Sequence, residues 1–186
     1  MKSELDRPWM LSGTASSQAC DVRALSTWGK TNARRFGGDP ERCILVGHSS
    51  GAHICMLYLA QICFEARDEC PLAGFVGLSG VYNISRHYSF ESTRGVHEAS
   101  PMKAANGDVE GFDMHSPELI IEQLRCSNEH TWRPALPHIL LLHGDNDDVV
   151  PPRESIEMHA QLVKSGHTNA EAFSTPSTNV TALDLV

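Results

Sequence analysis

Nine consecutive residues set the architecture of this chain: Cys43-Ile44-Leu45-Val46-Gly47-His48-Ser49-Ser50-Gly51. The first four are apolar, and a longer, mainly apolar stretch follows from Ala52 to Phe64. A short apolar run before a glycine-rich turn is typical of a buried strand, and the longer stretch is typical of a buried helix. The sequence therefore predicts a strand, a sharp turn and a helix in succession.

Ser49 lies at the centre of that turn, in the pattern Gly-x-Ser-x-Gly. Between a strand and a helix this pattern is typical of a nucleophile elbow, which points a serine hydroxyl out of the sheet edge. The backbone there is crowded, so we expect Gly47 and Gly51 to be needed because they lack side chains. The following helix would direct its positive dipole end at the site, where acyl transfer develops negative charge. A glycine-rich turn in another kind of α/β protein is the alternative.

Length and charge limit the possible functions. The 186 residues fit one domain, and the formal net charge of −8 disfavours nucleic acid as a partner. The sequence has no run of about 18 apolar residues, so it predicts no membrane span. The N-terminus lacks the apolar core of a signal peptide. The ten histidines are too scattered to predict a metal site. We therefore expect neither a metal nor a cofactor.

The six cysteines include no Cys-x-x-Cys pair. Cys43 lies in a predicted strand, and Cys55 and Cys63 lie on a predicted buried helix. We interpret them as small buried hydrophobic residues, with disulfides as the alternative. Unpaired cysteines favour a reducing compartment, so we expect a cytoplasmic location. A membrane-associated longer form is the other possibility that we retain.

The rest of the chain alternates between predicted strands and helices. Residues 17–35 predict an amphipathic helix with Val22, Leu25 and Trp28 on one face. Further segments are a strand over 73–80, a strand over 139–143, a helix over about 153–165 and a strand near 170–173. Residues 81–130 are polar and predict an irregular, lid-like excursion. The alternation predicts a single, partial α/β domain over residues 1–186 with a mostly parallel sheet.

An acidic cluster follows the predicted strand that ends at residue 143: Asp145, Asp147 and Asp148. Because the carboxyl ends of parallel strands meet at one sheet edge, we expect this cluster at the same edge as Ser49. The residues alone do not choose among the three aspartates, and a solvated acidic turn is the alternative. A calcium loop fails, because Val150 and Ile156 stand where that loop needs a glycine and a glutamate.

Several further motifs accompany the serine motif between about residues 18 and 166: Phe36-Gly37-Gly38-Asp39-Pro40, Ser79-Gly80-Val81-Tyr82-Asn83, Ser116-Pro117-Glu118 and His143-Gly144-Asp145-Asn146-Asp147-Asp148-Val149-Val150-Pro151. In combination they resemble the α/β-hydrolase superfamily. Within it, the chain is most similar to the carboxylesterase branch that holds isoprenylcysteine methylesterase-like, feruloyl-esterase-like and kynurenine formamidase-like proteins. The resemblance implies that Ser49 is the nucleophile, that the backbone N–H of Ser50 is one oxyanion-hole donor and that Asp147 is the acid.

The other histidines have simpler interpretations. We expect His48 and His53 to pack or hydrogen-bond locally beside the elbow. His143 ends a strand, so we expect a structural hydrogen bond there. His115 is interpreted as a surface residue of a loop, with a pocket-lining position as the alternative.

Two parts of the family's pattern are missing from the sequence. Nothing in residues 1–16 resembles the four strands and the His-Gly-Gly loop that supplies a second oxyanion donor, so the strand before Ser49 would have a bare edge open to self-association. The catalytic histidine should follow the strand near residues 170–173. The last histidine, His167, precedes that strand and would lie at the wrong end of the sheet. We therefore expect a chain truncated at both ends.

The expected function is that of a serine hydrolase that cleaves carboxylic esters through an acyl-enzyme. The resemblance suggests a small-molecule substrate, a prenylcysteine methyl ester or a similar small or lipid-like ester. A kynurenine formamidase-like amidase acting on N-formylkynurenine and a catalytically inert fragment are the alternatives. Without a base, a serine hydroxyl is a poor nucleophile near neutral pH, so we expect the chain alone to have little or no esterase activity.

Overall fold

The computed structural model describes residues 13–65, 70–127 and 136–176. The strands are β1 (Ile44–His48), β2 (Gly74–Leu78), β3 (His138–Gly144) and β4 (Ala170–Thr175). The helices are α1 (Ala15–Asn32), α2 (Ser50–Glu65), α3 (Ile84–Thr93), α4 (Met102–Asn106), α5 (Pro117–Ser127) and α6 (Arg153–Lys164). Short 3-10 turns lie at Ala33–Phe36, Pro40–Arg42, Val109–Gly111 and Asp113–His115.

The four strands form one parallel sheet in the order β1-β2-β3-β4. In the register of the sheet, Val46 lies opposite Val76, which lies opposite Leu140. Each strand is reached through at least one helix, as parallel connections require. The predicted α/β class with a parallel sheet is confirmed, and the strands, α2 and α6 lie within a few residues of their predicted positions.

The core lies between α2 and one face of the sheet. Ala52, Met56, Leu57 and Leu59 of this helix are fully buried, and Phe75 on β2 is packed in the same cluster. Burying a large apolar side chain stabilises a fold by about 1.5–3 kcal/mol relative to leaving it exposed. The apolar residues on most sides of α2 suit this buried position, and the packing of the helix holds the turn before it in place.

The opposite sheet face is only partly covered by the described residues. Ile44, Val46 and Phe173 share this face, because side chains alternate along a strand, and all three are more than half exposed. β1 is also an edge strand, since its outer side pairs with no strand in the described parts of the chain. The expectation that this edge associates with another chain stays a prediction.

Helix α1 buries only part of the apolar face that the sequence pattern predicts, because Val22 packs partly buried against the core. Leu25 and Trp28 are more than half exposed, whereas Ala15, Ala19 and Ser26 are buried. These three residues recur at intervals of four and seven, which places them on one side of the helix. Ala15 and Ala19 belong to the same core cluster as the buried side chains of α2.

The polar segment after β2 is more regular than the sequence predicted. It contains α3, α4 and α5, so the expectation of an irregular excursion is wrong for residues 81–127, and residues 128–130 lie outside the described residues. The Asn83 side chain caps α3 by accepting a hydrogen bond from the N–H of Arg86, and Pro117 begins α5. The role of this polar segment as a lid stays a prediction.

The cysteines of the described side chains are free: Cys20, Cys43, Cys55, Cys70 and Cys126. Cys55 is buried on α2 and Cys43 is partly buried before β1, which fits small hydrophobic residues, while the side chain of Cys63 lies outside the description. Within the three described ranges, no helix has the length and apolar character needed to cross a membrane.

Candidate active site

Ser49 forms the single-residue turn between β1 and α2. Its φ is +54°, in the left-handed region that residues other than glycine rarely adopt. Its backbone N–H donates to the carbonyl oxygen of Leu78 at 2.8 Å, and its carbonyl oxygen accepts from the N–H of His53 at 3.2 Å. The turn is therefore held to the end of β2 on one side and to α2 on the other. A strained serine at a strand–helix turn is the geometry of a nucleophile elbow.

Only the first glycine of the motif is required by close packing. A Cβ atom on Gly47 would lie 2.7 Å from the backbone N of Ala52 and from the backbone C and O of Gly51. These backbone atoms belong to the turn itself and cannot move aside. A Cβ atom on Gly51 meets no heavy atom within 4 Å in the described part of the chain. The expectation that both glycines are sterically needed is therefore wrong for Gly51.

Replacing Gly47 with alanine is expected to lower the free energy of unfolding by about 3 kcal/mol, because the new methyl group overlaps the backbone of the turn. Gly51→Ala is the matched control, two residues inside α2. It is expected to leave stability unchanged or to raise it by up to about 1 kcal/mol, since alanine favours the helix. Urea unfolding followed by circular dichroism measures both. Equal midpoints for the two variants would contradict this steric explanation.

The N-terminal end of α2 lies at the turn, because this 16-residue helix begins at Ser50. The first N–H groups of a helix have no partner within it, and they carry the positive end of the helix dipole. The backbone N–H of Ser50 is one of these groups. Its predicted role as an oxyanion donor fits this position and stays a prediction.

Burial distinguishes Asp147 from the other two aspartates of the acidic cluster. Asp147 is 8% exposed, whereas its two acidic neighbours are exposed. Its Oδ1 accepts hydrogen bonds from the backbone N–H groups of Val149 and Val150, both at 2.9 Å. Its Oδ2 lies 3.7 Å from Nε2 of His143. A fixed, buried carboxylate suits a residue that orients a base, a role that stays a prediction.

A cavity of about 430 Å³ connects the serine turn with the acidic turn. Ser49 lines it at one side, and Val149 and Val150, the two residues that donate to Asp147, line it at another. Its size is that of small-molecule binding sites. Most of its remaining wall comes from α1–α4, with apolar side chains that include Ile54, Val81, Ile84 and Met102.

His53 also lines the cavity, one helical turn beyond Ser49. Its Nε2 donates to the carbonyl oxygen of His115 at 2.7 Å. Burial lowers the pKa of His53 from 6.5 to about 4, although this hydrogen bond acts in the opposite direction. The ring is therefore neutral at pH 7, and its N–H is already committed. His53 forms a hydrogen bond, as predicted, but the expectation of a local bond is wrong, because the partner lies 62 residues away.

Two other histidines have different outcomes. The predicted structural hydrogen bond of His143 is confirmed, because its Nδ1 lies 2.7 Å from Oγ of Ser155. The prediction of a surface position for His115 is wrong. That ring is buried, and its Nε2 lies 2.8 Å from Oγ of Ser16 on α1.

The position expected for the catalytic histidine is not filled in this sequence. His167 is buried in the loop that precedes β4, at the end of the sheet opposite to Ser49, as predicted. No histidine follows it among the 186 residues. His48, which ends β1, is exposed.

His87 is not among the residues predicted from the sequence, and it lines the cavity together with Ser49 and Glu91. His87 is buried on α3, and its Nε2 lies 3.6 Å from Oε1 of Glu91, one helical turn further on. Burial lowers the pKa of His87, while the charges of Glu91, Glu154 and Asp147 raise it. The signal available in the sequence was the spacing of four residues between this histidine and Glu91, which places both on one face of a helix.

The parallel sheet and the strained serine turn define the class of the chain. A lipase/esterase from Lactobacillus plantarum has a similar structure, with a TM-score of 0.61, 16% identity and coverage of 92% of this chain and 59% of that chain. The chain is an α/β-hydrolase of the carboxylesterase branch. It belongs to the BD-FAE family, whose model matches residues 9–162.

Two relatives from Arabidopsis thaliana support this assignment. A probable isoprenylcysteine alpha-carbonyl methylesterase is 32% identical over 179 residues, covering 87% of this chain and 41% of the relative. An isoprenylcysteine alpha-carbonyl methylesterase is 31% identical, with the same coverage of both chains. The present chain therefore spans about two fifths of the length of these relatives.

Proposed function

We propose that this chain carries the nucleophile and the acid of a serine hydrolase that acts on carboxylic esters. The observation that supports this most strongly is the strained Ser49, which opens onto a cavity of about 430 Å³ shared with the Asp147 turn. Membership of the BD-FAE family and relatives named as methylesterases favour the same chemistry.

In the proposed reaction, Oγ of Ser49 attacks the carbonyl carbon of the ester, and the bond from that carbon to the alcohol oxygen then breaks. The serine proton passes through a base to the departing alcohol, and water later releases the acid from the acyl-enzyme. The N–H of Ser50 stabilises the oxyanion at the start of α2. Asp147 orients a histidine base, for which the sequence after β4 offers no candidate.

The proposed substrates are small or lipid-like esters, with a prenylcysteine methyl ester as the leading candidate. The apolar walls formed by Ile54, Ile84 and Met102 suit a hydrocarbon group. The names of the two plant relatives point to the same substrate class.

A stable acyl adduct on Ser49 is the expected result when the chain is incubated with p-nitrophenyl butyrate. Without a base the attack of Ser49 is slow, but p-nitrophenolate is a good leaving group, so prolonged incubation should acylate the serine. The water that should release the acyl group needs a base as well, so release is slow too. The adduct should therefore accumulate, and intact-protein mass spectrometry should detect one butyryl group per chain.

Ser50→Ala is the matched control, because alanine keeps the backbone N–H that Ser50 would contribute. This variant should still form the adduct, and Ser49→Ala should form none. An adduct that persists in Ser49→Ala would contradict the proposal.

A non-catalytic binding protein is the second candidate function. It is favoured by the pKa of His53, which burial lowers to about 4, so this cavity-lining histidine is a weak base. A folded wild-type chain that binds esters but never becomes acylated would support this candidate.

A further inference from the structure

The outer edge of β1 presents a regular row of backbone donors and acceptors. The carbonyl oxygen of Cys43 and the N–H of Ser49 form hydrogen bonds to the two ends of the β2 segment, so both residues face β2. Because backbone groups alternate in direction along a strand, Ile44, Val46 and His48 direct their N–H and C=O groups away from β2. All three residues are exposed, and no strand pairs with this side of β1 in the described parts of the chain.

This edge is complementary to a second copy of itself. An antiparallel pairing of two β1 strands, centred on Val46, places Val46 opposite its own counterpart and Ile44 opposite His48 of the second copy. Outward-facing residues that lie opposite each other form hydrogen-bonded pairs, in which each residue donates once and accepts once. Every outward donor and acceptor of β1 is then satisfied, and the two-fold symmetry is that of most protein dimers.

β1 also lacks the features that normally protect an exposed edge. Such edges usually carry charged residues, proline or a bulge. Residues 43–53 contain no aspartate, glutamate, lysine, arginine or proline. Two copies of a chain with a net charge of −8 can therefore meet at this edge without like charges facing each other. β4, the opposite edge strand of the described sheet, carries Glu171, whose charge opposes pairing there.

We propose that two copies of this chain associate through antiparallel pairing of their β1 strands, which joins the two sheets into one. Ile44 and Val46, which are 62% and 58% exposed, then form a continuous apolar strip with the same residues of the second copy. A strand of five residues extends over only about 17 Å, so the interface is smaller than the ~800 Å² per partner of a stable complex. The dimer is therefore weak, with a dissociation constant in the micromolar range.

Sedimentation velocity at micromolar to submillimolar concentrations measures this association. The wild type should shift with concentration from a monomer of 20.4 kDa towards a species of twice that mass. Val46→Lys removes apolar contact and brings two charges face to face, with about 5.5 Å between their Cα atoms, so it should weaken the dimer at least about tenfold. Phe173→Lys is the matched control, because Phe173 is 54% exposed on the same sheet face but lies on β4, and it should leave the dimer unchanged.

Two double variants test the register of the pairing. Ile44→Lys with His48→Glu places opposite charges across the interface, whereas Ile44→Lys with His48→Lys places like charges there. The first should dimerise about tenfold more tightly than the second. Both side chains are exposed in the monomer, so neither variant should disturb the fold. A wild type that stays monomeric at submillimolar concentration, a Val46→Lys chain that dimerises like the wild type, or equal association of the two double variants would overturn the inference.

Discussion

The 186-residue chain is expected to hydrolyse p-nitrophenyl acetate about a millionfold more slowly than a serine esterase with a complete triad. A serine hydroxyl needs a base to become nucleophilic near pH 7, and no histidine follows His167 in this sequence. His167 itself precedes β4, at the wrong end of the sheet. Burial lowers the pKa of His53, the histidine one helical turn beyond Ser49, to about 4, which makes it a weak replacement for the missing base.

Steady-state release of p-nitrophenolate measures this rate. Because the residues of a triad act as a unit, Ser49→Ala should lower the already small turnover by no more than a few-fold. Added imidazole, which supplies a base from solution, should speed release by the wild type beyond the direct hydrolysis by imidazole that Ser49→Ala reports. Turnover on the order of 10 per second, typical of enzymes, would contradict the conclusion that the base is missing.

Replacing Glu154 with alanine is expected to lower the free energy of unfolding by about 3–5 kcal/mol. Glu154 is 1% exposed at the start of α6. Its Oε2 accepts from the backbone N–H groups of Tyr82 and Asn83, both at 3.0 Å, and its Oε1 accepts from Nε of Arg86 at 2.7 Å. Removing this carboxylate leaves two buried N–H groups without a partner and weakens the hold on the guanidinium, which then pairs with Glu118 alone.

Urea denaturation followed by circular dichroism gives the free energy of unfolding for this comparison. Glu157→Ala is the matched control on the same helix, because its ion pair with Arg153 is solvent-exposed and should contribute less than about 1 kcal/mol. Glu154→Gln keeps the shape of the side chain and should fall between alanine and wild type. A Glu154→Ala chain within about 0.5 kcal/mol of the wild type would show that the network adds little to stability.

The sequence was sufficient to predict the parts of the fold that depend on local patterns. The apolar run before Gly47 predicts β1 and the longer one after Ser49 predicts α2, because a short apolar run is typical of a buried strand and a longer one of a buried helix. The order of strands and helices then predicts a parallel sheet. The same reasoning placed the acidic cluster at the correct sheet edge, but it could not choose among the three aspartates. Only Asp147 is buried and accepts hydrogen bonds from Val149 and Val150, which a local pattern does not show.

Features that depend on contacts between distant segments were missed. The Glu154 network joins residues 68 to 72 positions apart, and no local pattern reports such a distance. The polar sequence around His115 predicts a surface position, because its contact with Ser16, 99 residues earlier, forms only in the folded chain. His87 escaped notice because only the folded chain brings α3 to the wall of the cavity that contains Ser49.

The central claim is that Ser49 is the nucleophile of an ester-hydrolase site, and covalent labelling with a fluorophosphonate tests it most directly. After prolonged incubation of the folded chain, peptide mass spectrometry is expected to find the phosphonyl group on Ser49, in the wild type and in Ser50→Ala. A phosphonyl group on another residue while Ser49 remains free would contradict the claim, as would a folded wild-type chain that stays unlabelled even when added imidazole supplies a base.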